Sequence, residues 1–101
     1  MWLVLMFDLP VVEPEERKAA HRFRKDLKSC GFTMMQLSVY IRHAASDENA
    51  RVHLKRVVGL IPDKGEIRVM LITDKQFERM EVYYGNMRKK AKPAPKQLEF
   101  L

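Results

Sequence analysis

The sequence predicts an α+β domain, in which segments with a strand pattern alternate with segments with a helix pattern. Short apolar or alternating runs indicate the strands, two stretches with helical apolar periodicity indicate the helices, and Gly or Pro residues separate them. The order β-α-β(β)-α-β fits a ferredoxin-like βαββαβ sandwich with both helices on one face of the sheet. A chain of 101 residues corresponds to a single domain.

The first strand and the first helix have well-marked ends. Residues 2–7 form a continuous apolar run that stops before Pro10, which is typical of a strand buried on both faces. Pro14 suits the first turn of a helix, and Gly31 suits the position just after its last turn. The first helix is therefore predicted from Pro14 to about Cys30.

The middle of the chain contains further strand pattern and the second helix. Residues 32–42 alternate between two sets of side chains, either as one strand or as two short strands around a bend near Ser38. With Ser46 as the N-cap, a helix is predicted over residues 47–60. Its apolar side is expected to consist of Val52, Leu54, Val57, Val58 and Ile61.

The last third of the chain predicts two strands and a tail. Strand pattern is found in residues 67–73 and 82–84, so residues 1–85 are predicted to form the ferredoxin-like domain. A basic, Pro-containing linker (86–97) and an added C-terminal docking strand (98–101) are expected to follow. The docking residues are Leu98, Phe100 and Leu101, which would join this sheet or that of a partner.

The first strand also predicts an oligomer. The helices can cover only one face of the sheet, yet this strand is apolar on both faces. A second copy of the chain is the simplest candidate to cover the other face. We therefore expect a two-fold homodimer.

The chain is basic, with 19 Lys and Arg against 13 Asp and Glu and a net charge of +6. This balance favours a polyanionic partner, which is nucleic acid or, less strongly, an anionic membrane surface. No apolar run approaches the roughly 20 residues that span a bilayer. The single cysteine, Cys30, suits a reducing compartment. We expect a cytoplasmic protein without a membrane partner.

Asp8 is the candidate catalytic and metal-binding residue. It is a carboxylate directly after the first apolar strand, where it can hold a divalent cation beside a phosphate. The alternative is a carboxylate that caps the turn around Pro10, and the position taken alone favours that alternative. Two copies of Asp8 that meet across a two-fold axis would form a better cation site than one copy.

The polar side of the first helix is the candidate nucleic-acid-binding surface. It carries seven basic residues, which are Arg17, Lys18, His21, Arg22, Arg24, Lys25 and Lys28. No acidic residue lies between Arg17 and Lys25, so i,i+4 ion pairs do not account for this stripe. A cationic ridge of this kind suits contact with phosphates, and the alternative is a solvated helix face.

Several segments of the chain occur together in one known family. They are LMFDLP at the end of the first strand, EERKAAHRFRKDL and KSCGF in the first helix and its cap, QLSVY, KGEIRVMLITDKQF and the terminal QLEFL. Together they resemble the small ferredoxin-like CRISPR-associated protein that is the non-integrase subunit in spacer acquisition. The MFDLP start and residues 74–77 are most similar to the type II branch. Phe7 departs from the pattern, because many relatives have Tyr there.

The resemblance implies a homodimer that holds duplex DNA and bridges dimers of the CRISPR integrase while new spacers are acquired. It also implies an endoribonuclease or endonuclease in which Asp8 binds Mg²⁺ or Mn²⁺ at the dimer axis, and in which the helix that starts near Arg17 approaches nucleic acid. The alternative to the DNA-holding role is a stand-alone, toxin-like, magnesium-dependent endoribonuclease. A ferredoxin-like module for a small anion is a further hypothesis, which explains the fold but not the basic helix.

Overall fold

A computed structural model describes residues 1–85 and the backbone of residues 87–89. The helices and strands are β1 (Trp2–Asp8), α1 (Pro14–Ser29), β2 (Thr33–Gln36), β3 (Val39–His43), α2 (Asp47–Val58), β4 (Glu66–Ile72), α3 (Asp74–Glu78), β5 (Val82–Tyr84) and β6 (Met87–Lys89). The predicted α+β class is confirmed.

Four of the strands form one antiparallel sheet in the order β2-β3-β1-β4. This is the strand order of the predicted ferredoxin-like sandwich, with β1 between β3 and β4. Residues 32–42 form two strands rather than one, with a turn at residues 37–38 and a register shift between Met34 and Gln36. Strands β5 and β6 pair with each other as a separate two-stranded sheet.

The main core lies between β1 and the two long helices. Leu3, Leu5 and Phe7 project from β1 into it and are buried, as are Phe23 and Leu27 of α1. The rings of Phe7 and Phe23 meet edge to face, with their centroids 5.2 Å apart. Burial of each large side chain stabilises the fold by about 1.5–3 kcal/mol, so the pairing of α1 with β1 fixes the position of the whole strand.

Helix α1 ends as its sequence predicts. Gly31 follows it with φ of 85°, a conformation that residues with a side chain rarely adopt. The carbonyl of Cys30 accepts a hydrogen bond from Arg42 of β3. The end of α1 is thereby tied to the sheet.

Helix α2 begins as predicted, but its buried side matches the prediction only in part. Ser46 caps it by accepting a hydrogen bond from the backbone N–H of Asn49 (3.0 Å). Of the predicted apolar side, Val57 is buried and Leu54 packs against the core, which confirms these two residues, whereas Val52 is 61% exposed and Ala50 is buried instead. Two residues correspond to about 200° around a helix, so Val52 lies opposite Ala50.

Val58 and Ile61, which were also assigned to the apolar side of α2, are exposed as well. The helix ends at Val58, so Ile61 lies beyond it in the connection to β4. Ala50 is fully buried beside Val57, and its small side chain leaves room for close approach of the helix to the sheet.

The other face of the sheet is covered at one end only. Trp2 and Val4 of β1 are buried on this face, and the Trp2 ring stacks on Phe77 of α3 with centroids 4.3 Å apart. Further along β1, Met6 is half-buried and its partner on β4, Arg68, is exposed, while Met70, the partner of Val4, is 46% exposed. Within the described residues, therefore, the half of this face nearer Asp8 lacks a full cover.

Helix α3 was not predicted. It is only five residues long, too short for an apolar period, but it has a sequence signal in Thr73 and Gln76. These two residues form a capping box, in which each side chain accepts a hydrogen bond from the other's backbone N–H (2.8 and 3.1 Å). Asp74 anchors the helix, because it accepts hydrogen bonds from the N-terminal ammonium group and from His43 (3.1 Å).

Much of the predicted tail lies outside the described residues. Residues 87–89, assigned to the linker, form β6, and the rest of the linker with the docking residues Leu98, Phe100 and Leu101 is not described. The division into domain, linker and docking strand stays a prediction. In the part of the chain that is described, no helix is both long enough and apolar enough to cross a membrane.

Candidate functional site

Asp8 is the last residue of β1, and its side chain is exposed. Side chains alternate along a strand, so Asp8 shares a face with Trp2, Val4 and Met6, away from α1 and α2. Within residues 1–85 its carboxylate makes no hydrogen bond and no ion pair. The predicted alternative, a cap on the turn around Pro10, requires such a bond.

The register of the sheet brings a second carboxylate to the same edge. Glu66, the first residue of β4, is the partner of Asp8 in the β1–β4 ladder. Arg68 donates from Nε to the Glu66 carboxylate over 3.0 Å. That hydrogen bond and the charge of Arg68 lower the pKa of Glu66, and the same contact raises the pKa of Arg68.

Sequence reasoning missed Glu66, because its proximity to Asp8 depends on the pairing of β1 with β4. The signal that would have found it is the ferredoxin-like strand order, which makes these two strands antiparallel neighbours.

A complete cation site is not present within the described residues of one chain. They contain no group of three or more His, Cys, Asp or Glu side chains that could hold a metal ion. Magnesium prefers octahedral oxygen coordination, and it often takes one or two carboxylates with water and phosphate oxygens as the other ligands. Asp8 fits such a set, whereas the carboxylate of Glu66 is already engaged by Arg68.

The loop between Asp8 and α1 is held by two side chains from the first turn of that helix. Arg17 donates from Nη1 to the carbonyls of Val11 (3.3 Å) and Val12 (2.6 Å). Glu16 accepts at Oε1 from the backbone N–H groups of Val12 (3.1 Å) and Glu13 (2.9 Å). These hydrogen bonds, above all the one from Glu13, lower the pKa of Glu16.

Five of the seven predicted nucleic-acid-binding residues are exposed along the outer side of α1 with their side chains free for solvent. They are Lys18, His21, Arg22, Lys25 and Lys28. Four of them line a shallow depression together with Pro14 and Arg17. The structure thus brings these four residues of the predicted stripe together on one surface.

Arg17 and Arg24 are placed differently from the other five. Arg17 is exposed, but its guanidinium group is engaged with the loop carbonyls described above. Arg24 is half-buried, and its guanidinium carbon lies 5.5 Å from the centre of the Phe7 ring. The Nε atom of Arg24 is buried without a hydrogen-bond partner among the described residues. Arg24 therefore packs on the core more than it faces solvent.

Together, these features define a small ferredoxin-like protein with a strand-end carboxylate and a basic first helix. The sequence model for the CRISPR-associated protein Cas2 matches residues 1–80. The chain belongs to this family, as its segments predicted.

Two relatives show how similar the chain is to other members. It is 54% identical over 99 residues to a protein of Parvibaculum lavamentivorans, with 98% of both chains covered, and 48% identical to a protein of Flavobacterium psychrophilum, with 98% of this chain and 86% of the other covered. Both relatives are named CRISPR-associated endoribonuclease Cas2.

The fold is that of a solved family member. The crystal structure of Streptococcus pyogenes Cas2 at pH 6.5 superposes with a TM-score of 0.62 at 19% identity, over 83% of this chain and all of that one.

Proposed function

We propose that this chain is an endoribonuclease whose reaction requires a divalent cation held by Asp8. The observation that carries the proposal is the exposed Asp8 carboxylate, which has no internal partner within residues 1–85. A cation ligand must remain available, and the Asp8 carboxylate, which is unpaired among the described residues and lies at the end of a buried strand, meets that requirement. The names of relatives that are up to 54% identical support the same activity.

The proposal includes a homodimer. The half of the sheet face nearer Asp8 is partly uncovered and combines the half-buried Met6 and Val39 with the charged pair Glu66 and Arg68. A second copy placed there would bring two Asp8 side chains to one axis. Mg²⁺ or Mn²⁺ held between them would supply charge stabilisation at the phosphate and a more acidic water. The chain's own part is to hold Asp8 at the end of a buried strand and to bind flanking phosphates through the basic side of α1.

The decisive experiment compares cleavage of labelled single-stranded RNA and duplex DNA by the wild type and Asp8→Asn, with Mg²⁺ or Mn²⁺. Asp63→Asn is the matched control, because it removes one exposed carboxylate from the nearby connection between α2 and β4. We expect RNA cleavage by the wild type and the control and none by Asp8→Asn. Equal cleavage by all three proteins would refute the role of Asp8.

A second candidate function is favoured by the exposed basic residues of α1. We propose that this surface holds duplex DNA for the CRISPR integrase during spacer acquisition, and that Leu98, Phe100 and Leu101 contribute to docking between subunits. The charge of the exposed stripe supports DNA binding, because neutralisation of phosphates by Lys and Arg releases counterions.

Salt-dependent duplex binding tests this second function. The double variant Arg22→Ala/Lys25→Ala removes two exposed charges from α1, and Lys55→Ala/Arg56→Ala removes two from α2 as a control. The α1 variant should weaken binding and reduce the salt slope by about one unit for each phosphate that is no longer neutralised. Equal slopes for the two variants would exclude α1 as the DNA-binding surface.

A further inference from the structure

The loop that follows Asp8 is not held in place by burial of its valines. Val12 is 78% exposed, and Val11 is exposed as well. Apolar side chains that remain in water contribute little to ordering the loop, although Leu9 and Pro10 at its start are half-buried. The position of the second half of the loop must therefore depend on its polar contacts.

Those polar contacts come from Glu16 and Arg17. Glu16 receives two successive backbone N–H groups of the loop at one oxygen atom, and Arg17 donates to two successive carbonyls. The loop backbone is thus held both through its N–H groups, which donate to Glu16, and through its carbonyl groups, which accept from Arg17. Both side chains project from the same turn of α1, a helix that is fixed to β1 through the core.

Glu16 also contacts the connection on the other side of Asp8. Its Oε2 atom lies 3.7 Å from Nζ of Lys64, in the segment between α2 and β4. The next residue, Gly65, approaches the backbone of Asp8 so closely that a Cβ atom there would lie 2.8 Å from the Asp8 carbonyl oxygen. One carboxylate therefore contacts the loop backbone that follows Asp8 and the Lys64 side chain of the connection that passes beside Asp8.

We propose that Glu16 is the positioning residue of the Asp8 site, which it orients through the loop and through Lys64. This inference rests on the proposed function, because it assumes that Asp8 holds the cation. It assigns to Glu16 no contact with RNA and no proton transfer. It also gives Arg17 a part in holding the loop that is separate from the phosphate contacts of the exposed basic residues.

The chain offers a matched control and a conservative variant. Glu15 lies in the same helical turn, carries the same charge and is exposed, and within residues 1–85 it makes no hydrogen bond or ion pair with the loop. Glu15→Ala therefore reproduces the loss of charge near the helix start without loss of the hydrogen bonds. Glu16→Gln keeps an oxygen acceptor for the loop, as glutamine does at this position of a capping box.

The first measurement is hydrogen exchange of the loop amides in protein without metal. Glu16→Ala should accelerate exchange at Val12 and Glu13, whereas Glu15→Ala should leave it at the wild-type rate and Glu16→Gln should restore most of the protection. Unchanged exchange in Glu16→Ala would overturn the proposal at its first step, whatever the catalytic activity.

The second measurement separates positioning from substrate binding. With saturating Mn²⁺, Glu16→Ala should lower kcat for RNA by about 10–100-fold, the range typical of partners that orient metal ligands, and leave KM unchanged. Mn²⁺ affinity, measured by titration calorimetry without RNA, should fall in Glu16→Ala and not in Glu15→Ala. A rise in KM with unchanged kcat would show that Glu16 affects substrate binding and would overturn the positioning role.

The proposed function and this inference fail in different ways. If Asp8→Asn cleaves RNA and binds Mn²⁺ like the wild type, the proposed function is wrong. If Asp8→Asn is inactive while Glu16→Ala matches Glu15→Ala in exchange, kcat and Mn²⁺ affinity, only the role of Glu16 is wrong.

Discussion

Replacement of Gly65 by alanine tests the close approach of two backbone segments beside Asp8. Gly65 has φ of 103°, and a Cβ atom there would lie 2.6 Å from Cδ2 of Leu9 and 2.8 Å from the carbonyl oxygen of Asp8. The left-handed conformation costs a side-chain-bearing residue about 1–2 kcal/mol. Overpacking against backbone atoms costs a further ~1–3 kcal/mol, because they cannot rotate away. We expect Gly65→Ala to lower the free energy of unfolding by about 2–5 kcal/mol.

Two other glycines separate these contributions. Gly85 also has a positive φ, of 65°, but a Cβ atom there would meet no described atom within 4 Å, so Gly85→Ala should cost only about 1–2 kcal/mol. Gly59 has an ordinary φ of −69° and room for a methyl group, so Gly59→Ala should stabilise the protein by about 0.4–1 kcal/mol.

Urea unfolding provides the assay. The fluorescence of Trp2, the only tryptophan, reports on the sheet because its ring is buried against Phe77. All variants should be compared at one protein concentration, because association would shift the midpoint. If Gly65→Ala unfolds at the same urea concentration as Gly85→Ala, the inferred contact between the β4 connection and the end of β1 is wrong.

Three further predictions concern other parts of the fold. Ser46→Ala removes the cap of α2 and should cost about 1 kcal/mol in the same urea assay; an unchanged midpoint would contradict the cap. Arg24→Ala should destabilise the fold by about 0.5–2 kcal/mol, because the guanidinium no longer packs on the Phe7 ring, and should leave duplex affinity unchanged. Lys25→Ala should weaken duplex binding and leave the free energy of unfolding unchanged. Hydrogen bonds from the N-terminal amine and His43 lower the pKa of Asp74 below its ordinary value of 3.8. The wild type should therefore exceed Asp74→Asn in stability above about pH 4 and lose that advantage as the pH falls through the lowered pKa; an equal difference at pH 2 and pH 6 would refute this.

The long helices and the strand segments were predictable because their signals are local, and the strand order follows from the order in which helices and strands alternate. Pro14 and Gly31 mark the ends of α1, and the alternation in residues 32–42 allowed the two strands that the structure contains. The prediction for the buried side of α2 is right for Leu54 and Val57 and wrong for Val52, because hydropathy favours Val52 over Ala50, although the smaller residue is the one that packs on the sheet.

The candidate site was predictable only in part, because side-chain contacts decide it. The position of Asp8 was predictable because the apolar run of residues 2–7 stops directly before it, which marks the end of the strand. Arg24 was grouped with the phosphate-binding stripe by charge, but helix geometry turns its guanidinium over Phe7. The roles of Glu16 and Arg17 depend on the course of a loop that no periodicity describes.

The central place of β1 has a consequence during synthesis of the protein. This strand is made first, yet its neighbours β3 and β4 come later, and β4 is the last strand of the sheet in the chain. The strongly apolar β1 must therefore wait for β3, and its other edge stays unpaired until β4 has been made. Such a segment is prone to aggregation, and long-range pairing of this kind slows folding. Chaperone binding to nascent chains should accordingly concentrate on residues 2–7 until β4 has emerged.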